Sequence, residues 1–159
     1  MTLTTVLPWW EMPARLALAV VLGVVVGWGP ERAHKPAGLR THLLVCLGSA
    51  LMMLISLEMY FRYNGAGSSV DPGRIAAQVV TGIGFIGAGT ILHAEGGLVK
   101  GLTTAASIWA ISGVGLACGA GMYLLAVTGT LLTLVSLAFV NRFLISAESP
   151  APGCEKKKD

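Results

Sequence analysis

Asp71, Arg74, Gln78 and Thr81 recur at helical spacing inside an apolar stretch, with His93 at its far end. Placed at about 100° intervals they occupy roughly a third of a helix circumference. An intramembrane polar stripe of this kind faces protein or water, not lipid. Two chemistries are open to it. In one, it lines a binding cleft or a path for a polar solute, with Asp71 and Arg74 near the mouth and Gln78 about two turns inside. In the other it is structural: Asp71 caps the helix, Arg74 snorkels to the interface and Gln78 bonds to a neighbouring helix.

The same stretch, DPGRIAAQVVTGIGFIGAGTILH (71–93), spells Gly82-x-Gly84-x-x-Gly87, a dinucleotide-binding fingerprint. That chemistry needs a preceding strand, a helix opening at the glycines and an acidic residue about 20 positions on. The residues before Gly82 read instead as a capped helix, with Pro72 at its first position. Nucleotide binding is therefore rejected. Read as a helix, Gly82 and Gly89 share one face, and Gly84, Gly87 and Ala88 share the opposite one. Small residues on both faces predict a close neighbour on each, and so the central helix of a bundle.

The elements that position these residues follow from composition. The chain is 54% hydrophobic and 12% charged, with a mean hydropathy of +0.73. Soluble domains carry about 25% charged residues, so an all-α, polytopic membrane bundle is expected, with the lipid bilayer as its surroundings. The net charge of +3 sits in loops and at the C-terminus, which is no nucleic-acid footprint. No cleavable signal peptide is expected, because Glu11 and Arg15 interrupt the first apolar stretch. The cysteines and histidines have no metal-site spacing. With no nucleophile–base motif either, no catalytic residue and no enzyme activity are expected.

About five spans are predicted, near residues 12–28, 39–60, 71–93, 102–118 and 122–140. Glu11 and Arg15, four apart, can pair at the mouth of the first. Gly23 and Gly27 let a neighbour approach it, and Gly29-Pro30 should end it. Residues 94–100 read as a loop, and Gly119-Ala120-Gly121 as the break between the last two spans. Thr103, Thr104 and Ser107 should cap the fourth span or bond across helices. Residues 1–143 form one membrane domain, and 144–159 a disordered tail. The Lys and Arg bias places Arg32, Lys35, Arg40, Lys100, Arg142 and the tail lysines in the cytoplasm. The N-terminus is then outside and the C-terminus inside.

Three blocks carry a resemblance. AGLRTH (37–42), DPGRIAAQVVTGIGFIGAGTIL (71–92) and GLTTAASIWAISGVGLACGAGMY (101–123) resemble, in order and spacing, signatures of the MgtC/SapB family of bacterial inner-membrane proteins. The likeness covers roughly residues 16–141. It implies a multi-pass plasma-membrane protein associated with magnesium limitation, some of whose relatives are linked to survival inside host cells. It also implies a regulatory role through contact with a membrane complex such as the F-type ATP synthase. The alternative is a small transporter or channel component, with a homo-oligomer as a further possibility. Many members carry a cytoplasmic C-terminal domain, and this chain is expected to be the membrane domain alone. The motif positions carried over are Glu31, Arg32, Arg40, Thr41, His42, Asp71, Arg74, Gln78, Thr103 and Thr104. Glu31, Arg40, His42, Asp71, Arg74 and Gln78 form the expected polar core, and Gly82, Gly84, Gly87 and Gly89 the packing surface. No resident cofactor is expected beyond magnesium itself. For that ion Asp71 and Glu58 are the candidate carboxylates, since magnesium takes one or two and keeps several waters. Against this stands the plain alternative that both cap helices or pair with Arg15, Arg62 or Arg74.

Overall fold

The computed structural model describes residues 7–64, 70–93 and 99–147. The expected all-α bundle forms: α1 is Glu11–Arg32, α2 Leu39–Tyr63, α3 Gly73–Ala88, α4 Leu102–Gly119 and α5 Tyr123–Ala147. Long apolar runs become helices because each residue then satisfies its own backbone groups, as lipid demands. By length and composition α1, α2 and α4 can each cross a membrane, while α3 and the 123–139 part of α5 are shorter apolar helices. The tail beyond residue 147 and the side chain of His93 lie outside the described residues.

Three local expectations are corrected. Gly29-Pro30 does not end α1, which continues to Arg32 with Pro30 buried inside it. A proline this near the C-terminus removes one N–H and leaves the last turn to close, as the Ala33 N–H does on the Gly29 carbonyl at 3.1 Å. Of the expected loop 94–100, Val99–Lys100 forms β2, paired antiparallel with β1 (Leu92–His93) with Leu92 opposite Lys100, and residues 94–98 lie outside the described residues. Gly101 follows at φ 94°, the left-handed conformation that a glycine adopts freely. It, and not Thr103 or Thr104, occupies the N-cap of α4.

The central helix is α4. Ile108, Ile111 and Cys118 on it are fully buried, together with Ala19 and Val26 of α1 and Cys46 of α2. A Cβ on Gly115 would run into the Cys46 carbonyl oxygen, and one on Gly119 into that of Ala50. Backbone thus meets backbone where α4 crosses α2. Gly23 and Gly27 bring α1 equally close, with added Cβ atoms 2.8 Å from Leu43 Cα and 2.9 Å from Leu39 Cα. By contrast α3 buries only Ile83 and Gly87. It flanks the bundle, contrary to the expectation from its glycines. Local spacing shows which faces are small but not which of them has a neighbour.

Hydroxyls inside the apolar helices mostly bond to their own backbone. Thr128, Thr130, Thr133 and Ser136 of α5 each donate to a carbonyl one turn back. This satisfies the hydroxyl without a partner helix and makes a polar residue tolerable beside lipid.

Candidate functional site

The polar residues gather at three places. The first is where α2 ends and α3 begins. Asp71 Oδ1 accepts the Gly73 N–H at 2.8 Å, a turn bond just ahead of α3; Pro72, not the expected Asp71, holds the N-cap. Buried Ser56 of α2 donates to the Pro72 carbonyl at 2.7 Å and fixes the start of α3 against α2. Between them opens a cleft of ≈ 530 Å³, lined by Ser56, Met59, Asp71, Arg74 and Gln78 among others. This is the size of a small-molecule site. Thr81, the next member of the stripe, is exposed and donates to its own helix at Ala77 O.

The second place lies at the other end of α2. His42 is 0% exposed. Its Nδ1 is 2.8 Å from the Gly38 carbonyl oxygen, and because a carbonyl only accepts, that nitrogen carries the proton. Its Nε2 is 3.0 Å from Ser107 Oγ on α4. In the neutral ring the Ser107 hydroxyl donates to Nε2, and the Thr104 carbonyl at 2.8 Å is its competing acceptor. Nearby, Glu31 Oε2 reaches from α1 to accept the Leu39 N–H at 2.7 Å and caps α2 from outside. A side chain on Gly38 would collide with that carboxylate. Arg40 is exposed, one residue beyond Leu39.

The third place joins α1 to the α4–α5 turn. Arg15 is 7% exposed. Its Nε donates to Glu11 Oε1 at 3.2 Å, Nη2 pairs with the same oxygen, and Nη1 donates to the Gly119 carbonyl at 2.7 Å. The Tyr123 hydroxyl reaches Glu11 Oε1 at 3.4 Å. The spacing of Glu11 and Arg15 points to this pair. It does not point to the buried guanidinium linking three helices.

The six expected core residues therefore do not meet as one site. Asp71, Arg74 and Gln78 share the cleft. Glu31 and His42, with Arg40 beside them, sit about 21 Å away along α2. Glu58 pairs with Arg62 at 3.1 Å and lines a different cleft from Asp71. Among the described residues no group of three or more His, Cys, Asp or Glu side chains converges as a metal cage. A Cβ added at Gly87 would touch Ala105 at 3.6 Å, and one at Gly89 would lie 3.3 Å from the Ile86 carbonyl oxygen. Gly82 and Gly84 would meet nothing within 4 Å. Sequence reasoning missed Ser49 and Ser56, while Ser107, expected to cap α4 or bond across helices, does bond across to His42. A signal for both was present: His42, Ser49 and Ser56 fall at seven-residue spacing, on one face of α2.

Several known proteins resemble this chain. The MgtC family model matches residues 16–144. "Putative magnesium transporter YhiD" of Escherichia coli is 45% identical over 128 residues, covering 80% of this chain and 59% of that protein. "Protein MgtC" of Salmonella typhimurium is 39% identical over 140 residues, with coverages of 84% and 57%. "Protein SapB" of Bacillus subtilis is 37% identical over 127 residues, with coverages of 79% and 55%. The chain thus spans between 55% and 59% of these relatives. No solved structure matches it significantly. With a match that runs through all five helices, three of them able to cross a bilayer, the chain is a membrane protein that belongs to the MgtC family.

Proposed function

We propose that this chain is a multi-pass protein of the bacterial inner membrane that serves magnesium homeostasis as a regulator, through helix contact with a membrane partner. All five helices cross, with the N-terminus outside and the C-terminus in the cytoplasm. The end-to-end pairings support this alternation. Arg15, near the start of α1, meets the end of α4, while His42, near the start of α2, meets the start of α4.

The observation that carries the regulatory reading is the closed centre. Where α1, α2 and α4 meet, glycines bring backbone against backbone and Ile108, Ile111 and Cys46 are fully buried. The Asp71–Gln78 cleft lies on the flank, at the α2–α3 seam. A regulator needs a shaped flank more than a bore. The partner suggested by the family resemblance is the F-type ATP synthase. A second reading, a transporter or channel component, draws on the cleft itself: it places a carboxylate beside ≈ 530 Å³ of space. Its other support is the name of the YhiD relative.

Liposomes holding the purified chain and a magnesium indicator separate the two. Flux no greater than in empty liposomes, together with a membrane complex co-purifying with the chain, is the expected result. A flux abolished by Asp71→Asn would overturn the regulatory reading.

A further inference from the structure

The α2–α3 seam continues beyond the polar cleft. One turn further along it becomes an apolar groove of ≈ 430 Å³, lined by Val45, Gly48, Met52, Val79, Gly82 and Ile86 among others. Gly48 on one wall and Gly82 on the other keep it open, since a Cβ on either meets nothing within 4 Å. The lining of α2 from Leu44 to Met52 covers about 12 Å of helix. That is most of the roughly 15 Å depth of one leaflet's hydrocarbon. A single polymethylene chain fits.

The charges above the groove select a headgroup. The Arg74 guanidinium has no ion pair among the described residues. Asp71 engages Oδ1 with the Gly73 N–H, which leaves Oδ2. The two ions line one cleft without pairing with each other. The Gln78 amide, one turn deeper, offers both a donor and an acceptor. An anionic headgroup would satisfy Arg74 and leave Asp71 facing like charge. A quaternary ammonium would balance Asp71 but has no N–H to donate to it. A bare cation would satisfy Asp71 and be repelled by Arg74. A phosphate beside a primary ammonium answers both residues at once with charge-assisted hydrogen bonds.

We propose that the α2–α3 seam binds one phospholipid of the phosphatidylethanolamine class, with its phosphate on Arg74 and Gln78, its ammonium on Asp71 and an acyl chain between Gly48 and Gly82. The site rests on α2 and α3 crossing the bilayer. It does not rest on the magnesium reading, and its test is run in magnesium-free buffer so that the two fail separately.

The full chain, purified and delipidated in detergent, is titrated with phosphatidylethanolamine, phosphatidylcholine and phosphatidylglycerol of one acyl length, and bound lipid is read by native mass spectrometry. Phosphatidylethanolamine binds tightest. Arg74→Gln weakens all three lipids, phosphatidylethanolamine by about tenfold. Asp71→Asn, which keeps an oxygen to accept the Gly73 N–H, removes the preference for phosphatidylethanolamine and leaves phosphatidylglycerol unharmed. Gly82→Leu fills open space, so the fold is kept while all lipid binding falls. Soluble glycerophosphoethanolamine, which lacks the chains, does not bind. Equal or tighter binding of phosphatidylglycerol overturns the proposal. So does wild-type lipid binding by Arg74→Gln and Gly82→Leu, or a soluble headgroup that binds as well as the lipid. A Gly82→Leu chain that keeps its lipid but changes its oligomeric state would make the groove a helix interface and also overturn it.

Discussion

Arg15 of α1 donates from Nη1 to the Gly119 carbonyl at 2.7 Å, closing a link between the first helix and the last turn of α4. That carbonyl is one of the four a helix leaves unpaired at its C-terminus. A cation there also complements the negative end of the helix dipole. The guanidinium is held between this carbonyl and Glu11, which in turn accepts from Tyr123. Replacing Arg15 with Ala would strand a partly buried carboxylate and an orphan carbonyl together. The expected loss is about 3 kcal/mol, read as a lower midpoint of unfolding in detergent. Gly121 supports the same link: it sits at φ 75°, and a Cβ there would lie 2.7 Å from Arg15 Nη2. Gly121→Ala should cost about 1–3 kcal/mol. An unchanged midpoint in both variants would dismiss the link.

The glycines of α3 and α4 should respond to alanine in opposite directions. Gly115 faces the Cys46 carbonyl with no room for a methyl group, whereas Gly84 faces open space. Gly115→Ala should destabilise by about 1–3 kcal/mol by forcing α2 and α4 apart. Gly84→Ala should be neutral or stabilise by up to about 1 kcal/mol, the helix-propensity difference. Thermal unfolding of the two variants side by side measures this. A larger loss at Gly84 would return α3 to the centre of the bundle, or place a partner on it.

His42 and Ser107 should be energetically coupled. The ring is fully buried, and its Nε2 has the Ser107 hydroxyl as its hydrogen-bond partner. Ser107→Ala leaves that nitrogen unsatisfied and should cost about 1–2 kcal/mol. His42→Ala adds a cavity and should cost about 2–4 kcal/mol. In a double-mutant cycle the pair should show a coupling of at least about 0.5 kcal/mol. Strict additivity would mean the contact contributes nothing.

Features set by neighbours along the chain are legible in the residues alone. The runs of Leu, Val, Ala and Met require helices, because lipid leaves the backbone no other partner. Asp71 ahead of Pro72 marks the start of α3, and it accepts the Gly73 N–H in the turn that leads into the helix, with Pro72 at the N-cap. Glu11 and Arg15 announce their pair by being four apart. Gly23 and Gly27 announce that something will come close, and α2 does. Each of these rests on geometry within one or two turns of a single helix, which residue types and spacing encode directly.

Only the folded chain could show which helix lies inside. In water the apolar face of a helix points inward, and the core can be read from its stripe. In a bilayer the surroundings are as apolar as the core, so hydrophobicity marks no inside and close packing of small residues takes its place. Both α3 and α4 are rich in glycine, yet it is Gly115 and Gly119, not Gly82 and Gly84, that meet a neighbouring backbone. The same limit hid the partners of the polar residues. His42 finds Ser107 65 positions away and Arg15 finds Gly119 104 positions away. Residue types set which groups needed partners, but the long-range crossing of α4 with α1 and α2 chose them. It also divided the expected polar core between the two ends of α2.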